Sequence, residues 1–262
     1  LDVLLKKGAS VPFFFGPNNR INKSMSDNKI FEGMKYRHNP KYNKRLFQSS
    51  KVNLDLSHRC PLECLRCARQ DKDQNGNSIK TPGRDITMEE FDKISTYFDR
   101  IQFCGQYSDP IHHPHFIDML KMIKEKGKIS QVHNASSFKS DEYFVEAFKA
   151  NPDTQWWFGI DGLPKHSHKY RKNQDGEKQF RRLLLAKEHL NKLPIWQMIL
   201  FSYNENDLDE CIKMADEAGV IFNLINSSRW YKDDGSDPLI PKGKEKLRIE
   251  EQTFNPKVAV MQ

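Results

Sequence analysis

"LDLSHRCPLECLRCARQ", residues 54 to 70, places three cysteines within eight positions, directly after a short apolar run. The chain of 262 residues holds five cysteines, and Cys60, Cys64 and Cys67 are the only ones that lie close together in the sequence. Because the count is odd and the other two are isolated, the pattern argues against a secreted disulfide framework and favours reduced thiols. We therefore interpret this stretch as a ligand loop.

Thiolates at positions i, i+4 and i+7 can supply three ligands to a cubane iron–sulfur cluster and leave its fourth iron without a protein ligand. The same spacing also suits one face of a buried helix, but a proline and several charged residues make this stretch a poor buried helix. A zinc site is the stronger alternative. It needs a fourth ligand, for which the candidates are His58, His112, His113 and His115.

From Lys51 onward, short β-rich runs alternate with segments of helical periodicity. The predicted strands are residues 52 to 56, 100 to 104, 128 to 133, 154 to 160, 194 to 201 and 220 to 225. Thr87 and Glu90 form a predicted capping box at the first helix, and Gly127 and Gly219 end two later helices. Such strand–helix steps predict an α/β fold with parallel strands, specifically a partial (β/α)6 TIM-like barrel. A flat doubly wound sheet is the alternative.

Charge and composition divide the chain into three predicted parts. Residues 1 to 50 hold ten lysines and arginines against three acidic residues, which accounts for the whole formal charge of +7. This basic N-terminal extension is either a solvated leader or an arm that binds an acidic partner such as nucleic acid. We predict a core barrel over residues 51 to 230 and a C-terminal tail over residues 231 to 262, which is either complete or truncated.

No apolar stretch approaches the length needed to cross a bilayer, and the N-terminus lacks a signal-peptide core. We therefore expect a soluble, cytoplasmic protein without a membrane partner. In a parallel α/β barrel, the loops at the carboxyl ends of the strands meet at one mouth. Polar segments follow the predicted strands, and they include the cysteine loop, GQYSDP (105 to 110), HNAS (133 to 136) and DGLPKHSHKYR (161 to 171).

Five further residues have predicted positions in this fold. Trp156 and Trp157 point to opposite faces of their strand, so at most one of them lines the barrel interior. Cys104 is expected to be a small buried strand residue near the mouth, and Cys211 shares an apolar helix face and is expected in the core. Asp161 is either a general acid or base or a turn residue beside a glycine.

Taken together, the polar segments resemble those of radical S-adenosylmethionine (radical SAM) enzymes. Cys60-x3-Cys64-x2-Cys67 after a first strand is similar to the signature of that family. FCGQYSDPIHHPHF (103 to 116) resembles the family's glycine-rich segment after the second strand, and HNAS is similar to its Thr-Asn-Gly turn. FGIDGLPKHSHKYR (158 to 171) resembles a stretch in the branch that includes molybdenum-cofactor and peptide-maturation (SPASM-type) enzymes.

The resemblance implies two cofactors, a [4Fe–4S] cluster and S-adenosyl-L-methionine. Cys60, Cys64 and Cys67 would hold the cluster, and SAM would chelate its fourth iron. The cofactor-binding residues that it implies are Gly105, Ser108, Asp109, Asn134 and Arg171. Asp109 would face the SAM amino group, and Arg171 would pair with its carboxylate. One electron would cleave SAM, and the resulting 5′-deoxyadenosyl radical would take a hydrogen atom from an organic substrate.

The resemblance also implies partners: an electron donor such as flavodoxin or ferredoxin, and a substrate that is a small molecule or a peptide or protein. It singles out no catalytic residue toward that substrate. Four positions depart from the family's pattern. Arg66 replaces an aromatic residue, Ser108 replaces the second glycine of the glycine-rich segment, Asp109 replaces the usual glutamate, and Gly159 replaces a serine that is common there. No cysteine follows Cys211, so the cysteine-rich C-terminal domain of many members of this branch is absent from the sequence.

Two other functions stay open from the sequence. The first is a zinc-stabilised nucleic-acid-binding module that uses the basic N-terminal arm. The second is a cluster-bearing protein that no longer cleaves SAM, which the departures at Arg66 and Gly159 would allow. These two alternatives and the radical SAM enzyme differ in the metal that the cysteines bind and in the fate of SAM.

Overall fold

A computed structural model describes residues 51 to 67, 69 to 72, 78 to 80, 83 to 105, 107 to 225 and 237 to 242. The predicted basic extension and most of the predicted tail lie outside these residues. The domain boundaries that the sequence suggests therefore stay predictions.

Eight strands and five α-helices make up the described chain. The strands are β1 (Lys51–Leu54), β2 (Gln70–Lys72), β3 (Ser78–Lys80), β4 (Arg100–Phe103), β5 (Ile129–Asn134), β6 (Gln155–Gly159), β7 (Ile195–Ile199) and β8 (Ile221–Ile225). The helices are α1 (Met88–Tyr97), α2 (Phe116–Glu125), α3 (Asp141–Ala150), α4 (Gly176–His189) and α5 (Leu208–Ala218). Short 3₁₀ helices cover Pro110–His112, Pro164–Lys169 and Glu205–Asp207.

Six of the strands form one parallel sheet in the order β1-β4-β5-β6-β7-β8. The order follows the chain, so the sheet lacks the reversal that defines a doubly wound fold. Each connection between neighbouring strands carries an α-helix. This arrangement is an α/β fold of the partial TIM-like barrel type, and the predicted fold class is confirmed.

Local signals in the sequence set several element boundaries. Thr87 Oγ1 accepts the Glu90 N–H at 3.2 Å while the Glu90 carboxylate accepts the Thr87 N–H at 3.0 Å, which confirms the capping box of α1. Gly127 and Gly219 follow α2 and α5 with φ of +62° and +64°. Glycine tolerates this left-handed conformation, which turns the chain out of a helix.

The sequence analysis did not predict the hairpin of β2 and β3, which lies between the cysteine loop and α1. Its two strands pair in antiparallel fashion from Gln70 opposite Lys80 to Lys72 opposite Ser78. Each strand has only three residues, and most of them are polar. Segments of this length carry too few positions to show an alternation of apolar and polar residues.

The six parallel strands present one face to the helices and the other to the barrel interior. Val52, Phe103, Trp156 and Phe222 belong to the helix-side core, where helix residues such as Phe144 pack against them. Trp157 faces the other way and lines a cavity, so the predicted split of the two tryptophans is confirmed. None of the described helices is long and apolar enough to span a membrane.

Thr87→Ala removes the side-chain acceptor of the capping box, so we expect the free energy of unfolding to fall by about 1 kcal/mol. Thr96→Ala is the matched control, because Thr96 is exposed in the same helix, and we expect a change below about 0.5 kcal/mol. Chemical denaturation measures both values. Equal losses in the two variants would show that the box does not stabilise the start of α1.

Candidate active site

A cavity of about 270 Å³ opens where the parallel strands end. The loops that follow β1, β4, β5 and β6 contribute to its wall, together with inward-facing strand residues. The residues predicted from the sequence all line it: Cys60, Cys64, Cys67, Gly105, Ser108, Asp109, Asn134 and Arg171. The fold therefore brings the predicted cysteines and the predicted cofactor-binding residues to a single cavity.

The cysteine loop is fixed against the segment that carries Arg171. The backbone N–H of Glu63 donates to the Lys172 carbonyl oxygen at 3.1 Å, and that of Leu65 donates to the Tyr170 carbonyl oxygen at 3.2 Å. A helix would direct these N–H groups to carbonyl oxygens four residues earlier, whereas here they bind a distant segment of the chain. The alternative interpretation of this stretch as one face of a buried helix is therefore wrong.

The three cysteines of the loop form no disulfide, and all three are half-buried. Burial raises the pKa of Cys60 to about 12, and the nearby Asp109 carboxylate adds to the effect. Among the described residues, no three His, Cys, Asp or Glu side chains converge closely enough to hold a single metal ion. A tetrahedral zinc ion needs such convergence, whereas a cluster takes one thiolate on each of several irons.

The histidines considered as zinc ligands all lie outside the cavity wall, as far as the described chain shows. His112 Nε2 lies 2.7 Å from the Ser136 hydroxyl, and His113 Nε2 lies 3.0 Å from the Ile86 carbonyl oxygen. His115 pairs with an exposed aspartate on the first turn of α2. These contacts give the three histidines structural roles next to the mouth.

Asp109 joins the loops that follow β4 and β5. Its side chain is 3% exposed, and its Oδ2 accepts the backbone N–H of Ala135 at 2.7 Å and of Ser136 at 2.8 Å. Asn134 Nδ2 donates to both carboxylate oxygens, at 3.0 and 3.1 Å. These donors compensate for the burial of the carboxylate. Asp109 and Asn134 therefore form one fixed part of the cavity wall.

A second carboxylate, that of Asp55, holds the turn after β4. Its Oδ1 accepts the backbone N–H groups of Tyr107 at 3.0 Å and Ser108 at 3.2 Å, and the Ser108 hydroxyl at 3.1 Å. Gly105 lies against the same turn, where a Cβ atom would come within 2.7 Å of the Ser108 carbonyl oxygen. Only glycine fits this close approach. The sequence analysis did not single out Asp55, although it directly follows β1.

Arg171 is held by Asp161, which is fully buried. Arg171 Nε lies 2.8 Å from Asp161 Oδ2. Burial opposes the charge of Arg171, but Asp161 and then the Cys64 thiol outweigh it, so the pKa of Arg171 is raised. Gly159 leaves room for the guanidinium, because a Cβ there would lie 2.8 Å from Arg171 Nη2. Asp161 thus has a role that the sequence analysis did not predict, that of an ion-pair partner.

Polar strand residues of the barrel interior also line the cavity, and none of them was singled out from the sequence as a site residue. His133 Nε2 lies 3.0 Å from Gln102 Nε2, and His133 Nδ1 lies 3.2 Å from Gln197 Oε1. The His133 ring stacks on Trp157 with centroids 5.0 Å apart. Burial lowers the pKa of His133 to about 4, with a smaller contribution from Lys51, so the ring is neutral near pH 7. In the sequence, the signal for these residues was that they alternate with apolar neighbours along their strands.

Arg66, one of the departures from the family's pattern, lies outside the cavity wall. Its Nη2 atom pairs with Asp237 Oδ2 at 3.1 Å. The segment 237 to 242 is also bound to the loop after β7, where the Ser202 N–H donates to the Leu239 carbonyl oxygen at 3.0 Å. Arg66 therefore connects the cysteine loop to a later segment of the chain.

Comparison with known proteins gives a limited sequence match and a broad structural one. No protein-family model matches the chain. A curated relative, the tungsten-containing aldehyde ferredoxin oxidoreductase cofactor-modifying protein of Pyrococcus furiosus, is 25% identical over 113 residues, which are 42% of this chain and 30% of that protein.

Crystal structures of radical SAM enzymes superpose on most of the chain. Streptococcus suis SuiB matches with a TM-score of 0.63 and 13% identity over 94% of this chain and 57% of its own. A radical SAM methyltransferase from Sphaerobacter thermophilus matches with a TM-score of 0.55 and 11% identity over 81% of this chain and 66% of its own. The protein shares the fold of these enzymes.

The neighbours also indicate which ligands this fold accommodates elsewhere. SuiB has been crystallised with S-adenosylmethionine and, separately, with its precursor peptide SuiA. Against these two structures the chain spans 48% and 50% of the SuiB length. The chain therefore spans about half the length of SuiB.

Asp161→Asn removes the charge that balances Arg171 and keeps the size of the side chain. We expect the free energy of unfolding to fall by about 3 to 5 kcal/mol, because the guanidinium stays buried without its counter-charge. Asp118→Asn is the matched control, since the Asp118 side chain is 55% exposed, and we expect a change below about 0.5 kcal/mol. If chemical denaturation gave the same value for both variants, the buried ion pair would not stabilise the fold.

The low pKa of His133 makes stability depend on pH. The unfolded chain takes up a proton at this histidine near pH 6.5, whereas the folded chain does so near pH 4. As the pH falls through this window the unfolded state binds more protons, so the free energy of unfolding falls by about 3 kcal/mol.

His133→Gln removes this titration, so we expect the stability difference between the parent protein and the variant to shrink as the pH falls. Chemical denaturation at pH 7 and at pH 4.5 measures that difference. The charged group that acts on the His133 ring is Lys51 on β1, while the glutamines that flank the ring do not titrate. A difference that is the same at both pH values would contradict the assignment of a neutral, buried ring.

Proposed function

We propose that the protein is a radical SAM enzyme that cleaves S-adenosyl-L-methionine reductively and uses the resulting radical to take a hydrogen atom from an organic substrate. The observation that supports the proposal most directly is the shared cavity. On a radical SAM fold, the cysteine loop faces the same space as Asp109, Asn134 and Arg171. A cluster and SAM need just such neighbouring groups.

Cys60, Cys64 and Cys67 would hold a [4Fe–4S] cluster, which, when bound, supplies the electron that cleaves SAM to the 5′-deoxyadenosyl radical. The chain contributes the position of the three sulfur atoms through the backbone bonds of Glu63 and Leu65. Iron binding would have to displace the proton that burial holds on Cys60.

Two buried side chains of opposite charge would receive the amino-acid end of SAM. Asp109 offers a carboxylate to the ammonium group, and Arg171 offers a guanidinium to the carboxylate. Both are held by other groups, Asp109 by backbone N–H donors and Arg171 by Asp161. Because they are fixed before any ligand arrives, they would orient a zwitterion with little loss of side-chain entropy. Gly105 and Ser108 would form the close turn beside them.

The substrate in this proposal is a small molecule or a peptide. The SuiB structure with its precursor peptide supports a peptide, whereas the name of the Pyrococcus furiosus relative supports a cofactor-like molecule. A reductant such as flavodoxin or ferredoxin would supply the electron. None of the five described cysteines forms a disulfide, which agrees with the proposal of a compartment that keeps thiols reduced, such as the cytoplasm.

Anaerobic reconstitution of the full chain with iron and sulfide tests the proposal. We expect a brown protein with about four irons per chain that releases 5′-deoxyadenosine from SAM under reduction. Single Cys→Ala changes at positions 60, 64 and 67 should remove most of the iron and abolish the release. Cys211→Ala is the matched control, because Cys211 is fully buried in the helix-side core.

Three results would contradict parts of the proposal. A colourless protein with stoichiometric zinc would contradict the cluster. Four irons without 5′-deoxyadenosine would leave a cluster-bearing protein that does not cleave SAM. Equal iron loss in the Cys211→Ala control would show that the cysteine changes act by unfolding the barrel. Asp109→Asn adds a further readout, since we expect it to keep the iron and to weaken SAM binding.

A further inference from the structure

The interior face of this barrel is polar, although barrel interiors of this type are usually filled by valine, isoleucine and leucine. The outward positions of the parallel strands belong to the helix-side core, so the alternate positions face the interior. Ile199 and Ile225 also face the interior, but each of the six strands contributes at least one polar or indole-bearing residue there, and these include six: Asn53, Gln102, His133, Trp157, Gln197 and Asn223. Four of these six carry a neutral carboxamide.

Three of these residues form a hydrogen-bonded row across the sheet. The Gln102 amide nitrogen can only donate, so it donates to His133 Nε2, and His133 Nδ1–H donates to Gln197 Oε1. Trp157 stacks on the same ring. The hydrogen bonds of the row are therefore donated in one direction, from Gln102 toward Gln197. The side-chain oxygen of Gln102 stays available as an acceptor.

Several buried polar atoms of this face have no hydrogen-bond partner within the described chain. They are Gln102 Oε1, Trp157 Nε1, Asn53 Oδ1 and both amide atoms of Asn223. Trp157 is 8% exposed and Asn223 is fully buried. Asn223 pairs in register with Gln197, and Asn53 pairs in register with Gln102. Unpaired buried polar groups are costly, and of these residues Gln102 and Trp157 also line the cavity, so theirs are the two atoms that a ligand in the cavity would satisfy.

Gln102 and Trp157 both line the cavity that also holds the cysteine loop. One offers an acceptor and the other a donor, and neither carries a charge. The charged group that acts on this row is Lys51, which is exposed at the start of β1. The charged residues of the cavity wall, Arg69, Asp109 and Arg171, come from the loops, so an anion or a cation bound against the strand face would lose its water without a counter-charge on that face. A neutral ligand with its own donor and acceptor would avoid this desolvation cost, because it would exchange hydrogen bonds to water for hydrogen bonds to the protein.

We propose that this interior face is the substrate subsite and that it takes a neutral, planar carboxamide-type group, that is, an amide, a lactam or a heterocycle with adjacent donor and acceptor. The group donates to Gln102 Oε1 and accepts from Trp157 Nε1–H. The inference rests on the proposed function, because it names the substrate class for the same cavity. It gives Gln102 and Trp157 the role of specificity-determining residues.

Equilibrium dialysis of the full chain with four probes of nearly equal shape tests the subsite. Benzamide carries a donor and an acceptor, acetophenone carries an acceptor alone, benzoate is an anion and protonated benzamidine is a cation. We expect benzamide to bind at least about fivefold more tightly than each of the others, because they lack a partner or carry an uncompensated charge.

Two variants connect the binding to the named atoms. Trp157→Phe removes the indole N–H and keeps an aromatic ring, and Gln102→Met removes the acceptor and keeps a side chain of similar length. We expect each to weaken benzamide binding about fivefold to tenfold. Gln102→Met should leave acetophenone binding within about twofold of the parent value, because acetophenone has no donor for the Gln102 oxygen. Trp156→Phe is the matched control, because Trp156 lies on the opposite face of the same strand, and it should keep the parent affinity.

Thermal unfolding of each variant separates loss of binding from loss of fold. Tighter binding of benzoate or benzamidine, equal binding of benzamide and acetophenone, or no detectable binding of any probe at millimolar concentration would overturn the proposal. These outcomes are independent of iron and SAM. If benzamide bound as expected but no cluster formed, the subsite would stand and the proposed function would fail, whereas the reverse pattern would overturn the subsite alone.

Discussion

Carboxylates at the ends of parallel strands bind the backbone of neighbouring strands, and this repeated contact organises the mouth of the barrel. Asp55 after β1 accepts N–H groups from the turn after β4. Asp109 after β4 accepts N–H groups from the turn after β5, and Asp161 after β6 accepts the Ile199 N–H of β7 at 2.8 Å. Loops that would otherwise move separately are thereby joined into one rim.

The same carboxylates create the electrostatic character of the cavity. Asp109 brings a negative charge to the wall, and Asp161 allows a positive charge, that of Arg171, to be buried beside it. Removing the structural contacts would therefore also remove the charges that a zwitterionic ligand needs. Between β5 and β6 an amide has the equivalent role, since Gln174 Nε2 donates to the carbonyl oxygens of Ala135 at 2.6 Å and Gly159 at 2.8 Å. The two residues proposed to bind SAM are therefore also held in the network that supports the loops.

The sequence predicted the features that depend on near neighbours in the chain. The Thr87 capping box and the glycines after α2 and α5 act within one helical turn, and a period of two marks β1 and β4. The period does not show whether a polar face meets water or a barrel interior, so His133 and Gln102 were missed. Whether that face meets water or the barrel interior depends on the order of the strands, which is a property of the whole sheet.

Contacts between distant parts of the sequence lie beyond such local patterns, and the pair of Arg66 and Asp237 is the clearest example. Asp237 is buried while the Arg66 side chain is 39% exposed, so solvent screens the pair and its contribution to stability is below about 1 kcal/mol. The main effect of the pair is on the position of a chain segment. With the bond from Ser202 to Leu239, the pair fixes segment 237 to 242 between the cysteine loop and the loop after β7. A charge at position 66 therefore extends the rim of the mouth by a segment that an aromatic residue could not hold through an ion pair.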